Sequence, residues 1–145
     1  MPISSHGFHH TRTVRFGECD PAGVTYYPVY FNWFHQAMEA CFEMHLGVPY
    51  ATVIRTVGFP AVHTSASFQH PIAVGDKLTV VVSVSKLGRS SVLWDFHIYN
   101  QQEKLCATGQ VKTVCIPVTT GVFEFESVPI PNDLQPGLAE LIENH

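Results

Sequence analysis

From Pro28 to Leu46 the chain contains no glycine and no second proline, and this segment constrains the fold more than any other. Asn32, Gln36, Glu39 and Glu43 recur at intervals of four, three and four residues, the spacing of a single polar stripe along a helix. Nearly everything between them is large and apolar: Tyr30, Phe31, Trp33, Phe34, Met38, Cys41, Phe42 and Met44. A helix that is apolar over most of its circumference belongs inside a protein. Pro28 suits its first turn and Gly47 its exit. The rest of the chain must therefore supply a layer that covers one long helix.

That layer reads as β-structure. Residues 8 to 16 (FHHTRTVRF) mix β-branched and aromatic residues ahead of Gly17 and form a plausible first strand. After a loop containing Gly58 and Pro60, Leu78, Val80, Val82 and Val84 share one strand face, and Val92, Trp94, Phe96 and Ile98 share another. Leu87-Gly88-Arg89-Ser90 and Asn100-Gln101-Gln102-Glu103 are turns short enough to make neighbouring strands antiparallel. A third long strand runs from about Leu105 to Ile116. The pattern predicts an α+β domain: an antiparallel sheet of about five strands wrapped around one helix. Residues 1–145 form one domain, with a core of about 8–117 and a tail of 118–145 that carries a short helix near Leu138 to Ile142.

Charged residues make up 14% of the chain and apolar residues 46%. Soluble domains average roughly 25% charge, so part of this surface is expected to be covered in an oligomer. The net charge is −4 and the Lys and Arg residues are scattered singly, which excludes the broad positive field of a nucleic-acid binder. Cys19, Cys41, Cys106 and Cys115 form no C-x-x-C pair and read as reduced thiols. His6, His9 and His10 crowd the N-terminus, where a mobile polar end is expected and not a metal site. No apolar stretch reaches the ~18 residues of a membrane span, and no basic region followed by an apolar run opens the chain. A cytoplasmic location is expected, with no membrane partner.

Chemistry concentrates in FGECDPAGVTYYP, residues 16 to 28. Asp20 lies eight residues before Pro28, too far to be the ordinary N-cap of that helix. Asp-Pro and Ala-Gly are turn formers, so Asp20 can simply stabilise the bend after the first strand. A carboxylate opposite a helix N-terminus is also a workable nucleophile or general base, paired with main-chain N–H groups that hold a developing oxyanion. Composition and spacing leave both readings open. Cys19 is a weaker candidate, because Glu18 and Asp20 beside it raise a thiol pKa. Ser67, Ser90 and Ser91 lack a G-x-S-x-G elbow.

Asp20-Pro21-Ala22-Gly23, then Tyr27-Pro28, Tyr30 and Trp33, resembles the 4-hydroxybenzoyl-CoA thioesterase branch of the hotdog-fold acyl-CoA thioesterases. Gly58-Phe59-Pro60-Ala61-Val62, with Ala66-Ser67-Phe68 and the Gly75-Asp76 turn, is similar to the same family's second strand and the turn after it. The likeness spans about Phe16 to Pro117. It implies a hotdog fold, a curved antiparallel sheet around one long helix, and hydrolysis of an acyl-CoA thioester with no cofactor or metal. It assigns Asp20 as the catalytic carboxylate and the main-chain N–H of Tyr27 as the oxyanion donor. It implies an acyl pocket drawing on Phe34, His35, Phe59 and His63. Arg89, with Lys86 and Ser91, falls in the hairpin where related enzymes meet CoA phosphates, although Gly88 and Ser90 thin that match. It further implies a homodimer or homotetramer with active sites at the subunit interface.

His35 stands where the 4-hydroxybenzoyl enzyme has an acidic residue facing the ring hydroxyl, so recognition of that particular acyl group does not carry over. An aromatic, hydroxybenzoyl-like acyl-CoA is the preferred class. Two other functions fit the same fold. A hotdog hydratase or dehydratase needs a histidine beside the helix entrance, and His35 lies well inside the helix. A non-catalytic acyl-CoA binding protein is the other reading, against which the presence of Asp20 argues for chemistry.

Overall fold

The computed structural model describes residues 3–119, 122–123 and 126–143. In chain order it contains β1 (Phe8–Thr13), a 3-10 turn (Phe16–Glu18), α1 (Val29–Met44), the one-turn helix α2 (Tyr50–Val53), β2 (Val57–Gly58), β3 (Ala61–Phe68), β4 (Lys77–Leu87), β5 (Ser91–Tyr99), β6 (Leu105–Val114), β7 (Ile116–Thr119), β8 (Val122–Phe123) and α3 (Gln135–Glu140). Five strands make one antiparallel sheet in the order β1-β4-β5-β6-β3, and β2, β7 and β8 make a small second sheet.

The long helix forms where the sequence places it. Pro28 caps α1 with φ −64°, the angle its ring imposes and a helix requires. At the far end the N–H groups of Leu46 and Val48 turn back to the carbonyls of Cys41 and Phe42, each at 3.0 Å. Gly47 makes that reversal with φ +77°, a conformation that side chains with a Cβ resist.

The helix lies across the concave face of the sheet. Trp33, Phe34, Ala37, Cys41 and Phe42 are fully buried against Leu78, Val80, Val82, Val84, Val92, Trp94, Phe96 and Ile98, the two strand faces expected from alternation. Phe34 stacks on Phe96 with ring centroids 4.9 Å apart and sits so close to β6 that a Cβ on Gly109 would lie 2.3 Å from its Cε2. Glycine is thus the residue that lets this helix dock. Asn32, Gln36, Glu39 and Glu43 are all exposed, as the polar stripe predicts. The enclosure is less complete than the composition of the helix implies: Met44 is 75% exposed and His35 is exposed, so one flank of α1 is open in the single chain.

Three boundaries differ from expectation. The first strand stops at Thr13, because the Glu18 side chain accepts the Arg15 N–H (2.8 Å) and curls the chain into the 3-10 turn. The third long strand breaks at Cys115: its N–H bonds the Ser90 carbonyl (2.7 Å), and the continuation pairs with β2 instead. The tail helix is Gln135–Glu140, while Ile142 makes a parallel bridge to Val84. Residues 120–121, 124–125 and 144–145 of the expected tail lie outside the described residues. At the other end, His9 and His10 are strand residues paired with β4, so that segment is not the mobile end the sequence suggested.

The outer face of the sheet buries a carboxyl group. Asp95 accepts a hydrogen bond from Gln110 Nε2 (2.8 Å), and the neighbouring Glu143 accepts one from Ser83 Oγ (2.6 Å). Burial pushes Asp95 above its ordinary 3.8; the Gln110 bond draws it back in part, and Glu143 raises it again. A carboxyl group whose pKa is raised on folding supports the fold below its unfolded value and loses that support as pH rises through the folded value. Asp95→Asn keeps the oxygen that Gln110 donates to and cannot ionise. It is expected to raise stability at pH 8 by about 1 kcal/mol, with less gain at pH 4, as read from thermal melts at the two pH values.

Candidate active site

Asp20 sits in the loop between the 3-10 turn and α1. A miniature antiparallel ladder shapes this loop: the Asp20 N–H donates to Val24 O (2.8 Å), the Gly23 N–H to Asp20 O (2.9 Å) and the Tyr26 N–H to Glu18 O (3.1 Å). Gly23, at φ +81°, supplies the left-handed corner. Asp20 Oδ1 accepts the N–H groups of Ala22 (2.9 Å) and Val24 (3.3 Å). The residue is therefore a turn former, as the simpler reading has it. The two readings are not exclusive, because the hydrogen bonds found among the described residues use only Oδ1, and the residue is exposed.

The other arm of the ladder leads into α1. Tyr26, Val29, Tyr30 and Phe31 all donate their N–H groups to nearby carbonyls, and Pro28 has none to give. Among the described residues no partner is found for the Tyr27 N–H, at a helix start where the macrodipole favours negative charge. The Tyr27 side chain is 63% exposed. Beside Asp20, the Cys19 thiol donates to Arg15 O (3.7 Å). Burial pushes its pKa up, with Glu18 and Asp20 adding to the rise, which leaves it a poor nucleophile.

Along the open flank of α1 lies a cavity of about 330 Å³, lined among others by Phe31, His35, Phe59, Thr64, Val111 and Thr113. Two residues expected at an acyl pocket, His35 and Phe59, meet here. The His35 ring stands edge-on to Tyr50 at 5.9 Å, with Nε2 3.6 Å from Glu39 Oε1. The other two lie elsewhere. Phe34 is a core residue, 1% exposed beneath α1. His63 is turned to the outer face by a bulge between Ala61 and His63, which pairs it with exposed Lys112 and hands the cavity position to Thr64. Thr64, Val111 and Thr113 do not stand out in the sequence, because strand alternation alone does not locate a bulge.

Arg89 and Lys86 are exposed at the β4–β5 hairpin, and Ser91 packs against Gly88, where a Cβ would fall 2.7 Å from Ser91 Oγ. The Asp20 loop is tied to the opposite end of β4: the Thr25 N–H donates to Ile72 O (2.8 Å) and the Val74 N–H to Gly23 O (2.9 Å). The two groups thus flank a strand of 11 residues, roughly 35 Å long at 3.3 Å per residue. Within one chain they do not converge.

A curved antiparallel sheet wrapped around one long helix is the hotdog fold of acyl-CoA thioesterases. The chain belongs to the thioesterase-like superfamily, whose family profile matches residues 14–138. It is 31% identical over 118 residues to a 1,4-dihydroxy-2-naphthoyl-CoA hydrolase of Prochlorococcus marinus (strain NATL2A), covering 74% of this chain and 75% of that one. Among solved structures it is similar to a 1,4-dihydroxy-2-naphthoyl-CoA thioesterase from Synechocystis, with TM-score 0.82, 26% identity and coverage of 92% and 96% of the two chains. It is also similar to a gentisyl-coenzyme A thioesterase, with TM-score 0.78, 27% identity and coverage of 88% and 99%. Among the described residues no helix is long and apolar enough to cross a membrane.

Proposed function

We propose that this thioesterase hydrolyses an aromatic acyl-CoA, with Asp20 as the reacting carboxylate and the Tyr27 N–H as the oxyanion donor. The observation that carries the reading is the ladder that ties Asp20 to the entrance of α1, where the Tyr27 N–H is left without a partner among the described residues. A thioester carbonyl placed there would meet a donor and a positive helix end as its oxygen gains charge. Asp20 would either attack the carbonyl carbon, giving a mixed anhydride and CoA thiolate that water then resolves, or take a proton from the attacking water. Both routes yield free acid and CoA.

The acyl group would run along α1. Phe31 and His35 lie four and eight residues beyond Tyr27, about 6 and 12 Å down the helix at 1.5 Å per residue, which sets the cavity at the reach of an aryl ring. Its wall is apolar apart from His35, Thr64 and Thr113, a set suited to a ring bearing hydroxyl groups. The relatives named for hydroxylated aryl-CoA substrates support the same class.

Assembly would complete the site. Among the described residues strand β3 pairs only with β6, which leaves its other edge open, with Val62 59% and Phe68 49% exposed. Phe68 is level with Ala107, Ile98 and Val80, toward the Asp20 end of the sheet; Ala61 is level with Thr113, Val92 and Leu87, toward the Arg89 hairpin. Two copies joined antiparallel at β3 would bring the hairpin of one, with Arg89 and Lys86, toward the Asp20 loop of the other. CoA would then lie across a dimer interface.

The test is thiol release from a panel of thioesters by the purified protein. Hydroxylated benzoyl-CoA and naphthoyl-CoA are expected to turn over faster than acetyl- or palmitoyl-CoA by about tenfold or more, and a preference for alkyl chains rejects the aromatic reading. His35→Ala is expected to change the ranking of hydroxylated against unsubstituted rings by roughly 1–3 kcal/mol. A uniform loss across the panel would mean that His35 does not read the ring.

A further inference from the structure

We propose that Glu18 is the positioning residue of this site: one carboxylate, held by β1 and α1 together, fixes the Asp20 loop against the helix entrance. This rests on the reading of Asp20 as the reacting group. Glu18 touches neither the cavity nor the open side of the loop. Its two oxygens are gripped by the Arg12 guanidinium from β1, by the Arg15 N–H (2.8 Å) and by Trp33 Nε1–H from α1 (2.8 Å). Arg12 is itself held on three sides, by Glu18, by Gln36 Oε1 on α1 and by the Trp33 ring, whose centroid lies 5.2 Å from its guanidinium carbon.

This grip is partly shielded from water and specific in direction. The Arg12 and Glu18 side chains are 16% and 20% exposed, and Trp33 is fully buried. Hydrogen bonds to ionised groups in such surroundings are strong and sharply oriented. The main chain of the same residue carries the constraint onward. The Glu18 carbonyl receives the Tyr26 N–H at 3.1 Å, next to the proposed oxyanion donor, and Asp20 follows two residues later. Side chain and main chain of Glu18 thus bind both halves of the reacting pair to the same stretch of helix. A shift of an ångström between carboxylate and donor is enough to cost rate without cost to binding.

Glu18→Gln keeps the shape of the side chain and removes its charge; Trp33→Phe removes the N–H donor together with part of a buried ring, so a thermal melt accompanies its rate. In the whole 145-residue chain, assayed with the fastest thioester of the panel, Glu18→Gln is expected to lower kcat by about tenfold or more and Trp33→Phe by several-fold, each with KM within about threefold of wild type. In an Asp20→Asn background, Glu18→Gln should change the remaining rate by less than about twofold, since there is no longer a carboxylate to aim. Wild-type kcat in Glu18→Gln overturns the proposal. So does an equal loss in both backgrounds, which marks a general loosening of the fold. Should Asp20→Asn itself retain full rate, the reading of Asp20 falls as well; should Asp20→Asn fail while Glu18→Gln does not, only the positioning role falls.

Discussion

Asp20→Asn is expected to leave the fold intact and lower kcat by about a hundredfold or more, the scale of a lost nucleophile or general base. The substitution separates the turn that the structure shows from the chemistry proposed for this residue. The turn uses Oδ1 as an acceptor for the N–H groups of Ala22 and Val24, and asparagine presents the same oxygen in the same place; asparagine is itself a good turn residue. A purely structural aspartate would thus be replaced almost without loss. Asparagine cannot attack a thioester as a carboxylate or accept a proton at neutral pH. Thiol release measured under saturating substrate, beside a thermal melt, decides between them. An unchanged rate removes Asp20 from the mechanism, whereas a lost rate with an unchanged melt assigns it to chemistry.

Periodicity made most of the fold legible in the sequence. The stripe of Asn32, Gln36, Glu39 and Glu43 fixed the orientation of α1, and the alternation in β4 and β5 fixed which residues form the core, because both follow from geometry internal to one element. The same holds for the approach of Phe34 to the sheet only in outline: that Gly109 is the residue beneath it depends on register between distant segments. For the candidate site the same division between local and distant contacts holds. Asp20 and Tyr27 lie on one short stretch, so their proximity is local. His63 lies away from the cavity because a bulge shifts one strand by a residue and reverses every side chain beyond it. The Arg12–Glu18–Trp33 cluster is invisible in the sequence, since it unites a strand, a turn and a helix through side chains that read separately as scattered charge and core packing. The separation of Arg89 from Asp20 is likewise a property of strand register, visible only once β4 is known to run between them.

That separation leads to the second large effect. The protein is expected to sediment as a dimer or tetramer, and breaking the β3 edge should abolish activity while each chain still folds. An unpaired edge strand is normally blunted by charge, proline or a covering segment, and β3 has neither charge nor proline between Ala61 and Phe68. Its exposed apolar residues, Val62 and Phe68, are costly to leave in water and well placed for a second copy. A Val62→Glu, Phe68→Glu double variant puts two like charges on each copy along that edge, where pairing would bury them against their counterparts. In a lone chain Val62 is open to solvent, whereas Phe68 also meets Tyr30 edge-on at 4.7 Å, so Val62→Glu alone is measured beside the double variant and its separated chain should keep a cooperative melt. If the site needs the hairpin of a second copy, sedimentation should show monomer and kcat/KM should fall by about a hundredfold, a loss of transition-state stabilisation of roughly 2.7 kcal/mol. The loss should be largest for full CoA thioesters and smaller for truncated thioesters that lack the phosphates, because Arg89 and Lys86 are the groups removed. A fully active monomer would place the whole reaction within one chain.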